Sequence, residues 1–290
     1  PGGRHDNNNF APRIGIAFQA NPKTVLRSGF GVFYGQAEVL DQGGAGRFFN
    51  NPPENGQYSF LSDRLTTPAI RVANGYPPNL YPITVLQPNL GVTTADEFVP
   101  TQYSFQWFFD VQRELPGQTT LTLSYLGTAN RQMTYYLNIN SPLEPGPGSI
   151  QSRRPRPFFA AIGIYKPGGN ASYNAFTAKA ERRFSGGMTY LLSYTWSHMI
   201  DDGASSLDDG ASGTRNPYVR SWERGNANYD LRHNMVNSFL YDLPFGKGRR
   251  WMSGGGPVDW ILGGWQVGGI LFLRSGRPFS ATINGDLANM

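Results

Sequence analysis

Four carboxylates crowd the stretch "DDGASSLDD" (201–209): Asp201, Asp202, Asp208 and Asp209. Hard cations such as calcium take six to eight oxygen ligands, which makes this loop the one candidate metal site. Its spacing does not follow an EF-hand loop, and an acidic loop in water needs no ion, so the expectation is no bound metal. Just upstream, Ser197, His198 and Asp201 supply the residue types of a hydrolase triad. They lie in a run that alternates like a strand, where adjacent side chains point to opposite faces, so Ser197 and His198 cannot share a proton. No G-x-S-x-G, H-E-x-x-H or phosphate loop occurs. His5, His198 and His233 have no ligand-like spacing, and "GFGVFYG" (29–35) lacks the third glycine and the following helix of a dinucleotide site. Catalytic residues, cofactors and enzymatic activity are therefore not expected. The densest part of the +5 net charge, Arg153-Arg154-Pro155-Arg156, has no interleaved aromatics and sits among prolines and glycines, which argues against nucleic acid. With no cysteine, disulfides and thiolate metal sites are excluded.

The remaining informative residues are charges and aromatics at alternating positions, and strands must place them. In "MTYLLSYTWSHMIDD" (188–202), Met188, Tyr190, Leu192, Tyr194 and Trp196 share one face, and Thr189, Leu191, Ser193, Thr195 and Ser197 share the other. The same two-residue period runs through 13–20 and 25–34, joined by "NPKT", and through 101–115 and 119–127, joined by "PGQ". It returns in 172–184, joined by "SGG" to 188–202, and in 229–246 and 263–279. Composition agrees, since glycine, proline and aromatics are plentiful and only 16% of residues are charged. No run of 18 apolar residues exists, so a transmembrane helix is excluded; "ILGGWQVGGILFL" (261–273) is too short and is interrupted.

Three turns are of three or four residues, whereas hairpins are separated by far longer connections, one of roughly 65 residues rich in Pro, Asn and Gly. Short turns at one end and long loops at the other predict an antiparallel transmembrane β-barrel portion of about eight spanning strands in the outer membrane. On that reading the aromatic faces meet lipid, with Tyr190, Leu192, Tyr194, Leu121, Leu123, Phe105, Trp107 and Phe239 outward, and Thr189, Ser193, Thr122 and Gln106 in the lumen. Lys179, Glu181, Arg183, Arg232 and Arg274 are candidates for lumen-facing contacts with solute or plug, or for ordinary wet barrel interior. Tyr34, Tyr103, Trp107, Tyr194 and Trp196, placed toward the outer strand ends, are expected to form an interface girdle rather than a sugar platform. Residues 156–166 also look extended. One more crossing there would invert every later strand, so they are expected to be an extended piece of the outside loop 128–171, lengthening a strand beyond the membrane or folding over the mouth.

The blocks "NNFAPRIGIAFQANPKTVLRSGFGVFYG", "FVPTQYSFQWFFDVQRELPGQTTLTLSYLGT", "LNINSPLEPGPG", "SYNAFTAKAERRFSGGMTYLLSYTWSHMIDD", "YDLRHNMVNSFLYDLPFGKG" and "GGWQVGGILFLRSGRPF" resemble, in order, those of the Oar-like TonB-dependent receptors. The resemblance implies an outer-membrane receptor with a barrel of about 22 strands. It also implies an N-terminal plug, often preceded by a carboxypeptidase-regulatory-like domain. Residues 1–290 then read as a partial barrel domain with no plug domain, TonB box or terminal aromatic. The implied function is solute capture by extracellular loops and energy-coupled uptake through a plugged barrel. A surface interaction or adhesion barrel and a passive diffusion porin are the alternatives. Expected partners are outer-membrane lipid, the receptor's own plug domain, TonB and a solute the loops do not identify, with no nucleic acid.

Overall fold

The computed structural model describes residues 6, 8–35, 73, 75, 88–96, 98–203, 216–251, 254 and 256–279. Among them run β1 (Arg13–Asn21), β2 (Thr24–Gly35), β3 (Leu90–Ala95), β4 (Gln102–Leu115), β5 (Thr119–Asn138), β6 (Phe159–Ser185), β7 (Met188–Asp201), β8 (Gly225–Asn226), β9 (His233–Asp242) and β10 (Gln266–Arg274). They form one sheet ordered β1-β2-β4-β5-β6-β7-β9-β10, with every neighbour on that path antiparallel. These eight are the strands expected from the alternation. β3 lies parallel to the start of β6, and β8 extends the pairing of β7. β1 and β10 do not pair with each other, so the sheet is open.

Turn chemistry sets one end. Gly186 and Gly187 both take positive φ, which closes the β6–β7 hairpin with two residues whose twist matches the strands. The β1–β2 turn has two residues as well, and the β4–β5 turn three. The β9–β10 connection at the same end is longer and holds a short helix, α1 (Pro257–Leu262). At the opposite end the chain departs from the simple alternation. β5 continues to Asn138 and β6 begins at Phe159, well beyond the expected limits at 127 and 172. Residues 159–166 are thus no ninth crossing. They are the outer part of β6, paired with 135–138 of β5 and with β3. The crossing order argued from the short turns therefore stands, while the expected loop 128–171 is largely strand.

The extension is offset from the spanning part by two bulges. Between Asn130 and Met133 the extra residue is on β5, where Gln132 has φ 58°; between Met133 and Tyr135 it is on β6, at Pro167-Gly168. A bulge is where a sheet tolerates a proline, because no ladder N–H is needed there. At 27 residues, β6 runs to roughly 90 Å. β7 pairs with it only from Ala171 onward, so the outer third of this hairpin, held by β5 and β3 alone, stands clear of the sheet's main body.

Candidate functional site

Register decides which residues share a face. Leu192 faces Ala180 and Asn237 across its two neighbours, Ala180 faces Leu121, and Tyr190 faces Phe239. Phe105, Trp107, Phe109 and Val111 join the same face opposite Val32, Phe30, Ser28 and Leu26. Along that face no Asp, Glu, Lys or Arg occurs from Leu121 to Ala129 on β5, Phe105 to Val111 on β4, Ser172 to Ala180 on β6 or Tyr190 to Trp196 on β7. The other face holds Thr189, Ser193, Thr122 and Gln106, together with Arg27, Asp110, Lys179, Glu181 and Arg274. Two chemically distinct surfaces therefore share one sheet. Phe30, Phe109, Phe176 and Trp196 of the uncharged face are exposed, and so are Phe108, Leu126, Ile270 and Phe272 of the other.

The charged candidates do not converge on one point. Lys179 and Glu181 pair with each other at 3.0 Å on β6, and Arg183 follows at its turn end. Arg274 donates to Asn234 Oδ1 at 3.0 Å, and Arg232 sits before β9 with its Nε 2.8 Å from buried Asp230. Asp230 in turn accepts the Met199 N–H, so this pair fixes the loop to β7. Ser197 Oγ donates to the Leu231 carbonyl, while His198 Nε2 meets Asn226 Oδ1 on the opposite face. The triad types are separated as alternation requires.

The aromatics expected to form a girdle are placed as follows. Tyr34 and Tyr103 are neighbours at the outer ends of β2 and β4, with ring centroids 5.9 Å apart. Tyr194 bonds His233 Nδ1 at 2.8 Å, and Trp196 faces His233, the first residue of β9. Trp107 and Trp196 each lie five residues in from the long-loop ends of β4 and β7. The Trp107 indole lies over Gly127, where any Cβ would overlap the ring. Of the four loop carboxylates, Asp208 and Asp209 lie outside the described residues. Asp202 accepts from Asn170 N at 2.7 Å and Asn170 Nδ2 at 3.0 Å and pairs with Arg220 at 2.9 Å. Asp201 Oδ1 accepts the Gly203 N–H. Burial pushes the Asp201 carboxyl up, the Gly203 N–H opposes this, and Asp202 adds to the rise. The two described carboxylates are thus engaged with protein groups.

Residues missed in the sequence build a cleft at the long-loop end. Arg131, Asn170, Ser172, Ile200, Asp202, Arg220, Ser221 and Arg224 line about 500 Å³. Arg131, Ser172 and Ile200 lie on the uncharged face's own alternation, just past its outer end. The loop 216–224 folds over them. Arg220 Nη1 donates to Gly168 O at 2.6 Å, and the guanidinium lies 3.9 Å from the Tyr135 ring centroid. Above, Tyr218 donates to Ser141 O, which ties the loop to the β5–β6 tip; burial raises this phenol's pKa, with Arg156 opposing. No periodicity marks these residues, since half come from a loop.

The family model described as "Outer membrane beta barrel domain" matches residues 2–290. The chain belongs to this outer-membrane β-barrel family. Solved structures similar to this barrel chain include FauA, the alcaligin outer-membrane receptor from Bordetella pertussis, at 12% identity and TM-score 0.42, covering 93% of this chain and 30% of that one. FpvA of P. aeruginosa bound to heterologous pyoverdines is similar at 11% identity and TM-score 0.41, covering 87% and 21%. The FpvAI–pyocin S2 complex gives 11%, 0.40, 81% and 21%. The barrel chain thus spans under a third of the length of each of these. No curated protein matches it. No helix among the described residues is long and apolar enough to cross a membrane; the crossing elements of an outer-membrane barrel are its strands.

Proposed function

We propose that residues 1–290 form part of the wall of a TonB-dependent receptor barrel, of the Oar-like kind its sequence blocks resemble. In this reading the uncharged face meets lipid and the charged face lines a wet lumen. Long loops on the extracellular side capture a solute, and a plug outside this stretch gates its energy-coupled entry with TonB. The observation that carries the reading is the segregation of charge between the two faces, because lipid hydrates no ion and a lumen does. The tall β5–β6 hairpin supports receptor over simple pore, since it builds ordered structure where a solute arrives. The test is conductance of the intact protein in planar bilayers. A plugged receptor passes no steady current until its plug is removed, and solute uptake stops when the proton-motive force is dissipated. A steady open current from the intact protein would identify a porin instead.

A further inference from the structure

We propose that the long-loop half of the lumen wall, around Phe108, binds a neutral oligosaccharide, which makes such a glycan the solute this receptor takes up. The inference rests on the face assignment and the receptor reading proposed above, and it names the substrate class they leave open. On β2, β4 and β6 the lumen-facing charges lie toward the short turns, at Arg27, Asp110, Lys179 and Glu181. Going outward from there, no Asp, Glu, Lys or Arg occupies a lumen position of β2, β4, β5, β6 or β7 as far as Phe33, Gln102, Asn130, Tyr173 and Ser197. Hydroxyls and side-chain amides take their place, among them Gln106, Thr128 and Asn130.

Within this uncharged stretch the wall presents aromatic surface. A Cβ added to Gly29 would come 2.5 Å from the Phe108 ring, and one added to Gly31 would come 2.8 Å from that of Phe33. Glycine at both positions is what lets the two rings lie across the sheet. The Arg13 guanidinium covers Phe33, 4.6 Å from its ring centroid. Phe108 stays 39% exposed, with Leu126 40% exposed beside it, and Gln106 next along the same face is exposed as well. The hollow that Arg13, Phe33, Gln106, Phe108 and Leu126 help to line measures about 330 Å³, which is the size of a small-ligand site. A sugar ring has an apolar C–H face and a rim of hydroxyls. It therefore suits an aromatic surface set among neutral donors and acceptors, and it needs no countercharge. An anionic chelate, or a peptide with its charged ends, would lie against this wall without an opposite charge. A purely apolar solute would leave the amides and hydroxyls without partners. The patch also lies in the half of the lumen that a solute arriving from outside reaches first.

The test uses the intact receptor, purified in detergent, against an array of neutral oligosaccharides. Uronic-acid oligomers, a ferric trihydroxamate and tetra-alanine serve as probes of the other classes. At least one neutral glycan should bind, and titration calorimetry then measures its affinity. Phe108→Leu keeps an apolar side chain over Gly29 but removes the ring, and should weaken binding roughly tenfold, the worth of one aromatic contact. Phe108→Trp should bind at least as well as wild type, whereas a role in packing alone would favour leucine over the larger ring. Gln106→Leu should cost about threefold to tenfold, the loss of one neutral hydrogen bond. Leu191→Ala, a lumen position at the short-turn end, should bind as wild type. Heat-modifiable gel migration reports that each variant is folded. The proposal is overturned if no neutral glycan binds at millimolar concentration, or if a charged probe binds more tightly than every neutral one. Equal affinity of wild type, Phe108→Leu and Gln106→Leu overturns it too. An intact protein that passes no steady current and binds none of the glycans removes the substrate class alone and leaves the receptor reading standing. A steady current together with glycan binding that depends on Phe108 overturns the receptor reading and leaves this site.

Discussion

Replacing Asn140 with leucine should open the tip of the β5–β6 hairpin without touching the barrel wall. Asn140 is fully buried. Its Nδ2 donates to the carbonyls of Arg156, Phe159 and Ala160 at 3.0, 3.1 and 2.7 Å, and its Oδ1 accepts the Arg156 N–H at 2.8 Å. Leucine has a similar volume but neither the two amide hydrogens nor the acceptor. At least three hydrogen bonds vanish, and main-chain groups are left buried without partners at about 1 kcal/mol or more each. Three such losses make about 3 kcal/mol, or roughly a 150-fold increase in local opening. The two bulges separate the tip from the spanning part, so the change should stay local. Hydrogen exchange of the intact receptor in bilayer nanodiscs measures this. Peptides covering 154–165 should lose about two orders of magnitude of protection, while those covering 119–127 and 172–184 keep theirs. Leu143→Asn, at an exposed tip position, should change neither. Protection of 154–165 that stays within about threefold of wild type would refute the energetic argument. Equal loss along the spanning strands would refute the separation.

Leu192→Arg should cost roughly 2–4 kcal/mol of bilayer stability while Ser193→Arg costs far less; equal urea unfolding midpoints for the two would show the faces to be assigned wrongly. Gly127→Val should push the Trp107 indole off the wall and destabilise by about 1–3 kcal/mol, read as a lowered unfolding midpoint; an unchanged midpoint would mean the ring relocates freely. Residues 1–290 alone should give no single reproducible conductance, because the outer edges of β1 and β10 leave backbone groups that lipid cannot satisfy; one stable unitary current would refute this.

Alternation made the wall legible in sequence. Residues such as Leu121, Leu123 and Tyr190 are sorted by a period of two, and "SGG" could only be a tight turn, so strands, faces and crossing order followed. The outer hairpin was less legible because Gln132, Pro167 and Gly168 break the period where the strands continue. Proline there reads as an end of strand, although a bulge accommodates it. The type and period of Trp107 place it on the uncharged face. Only the register shows the glycine beneath it. The Arg131–Arg220–Arg224 cleft had no signature at all, since its members come from three strands and a loop that meet only through the fold.

The paired bulges bear on how this protein can change its length. One extra residue in a strand turns every later side chain to the opposite face, which in the wall would set charges against lipid. Here the surplus residue on β5 is followed by one on β6, so the register sum before Asn130–Ala171 is restored by Tyr135–Lys166. The hairpin above thus keeps the pairing register of the frame below, with one surplus residue in each strand. Such a joint marks a place to graft a foreign hairpin: one that keeps a surplus residue in each strand, at Arg131–Met133 and Pro167–Gly169, leaves the strands below in register.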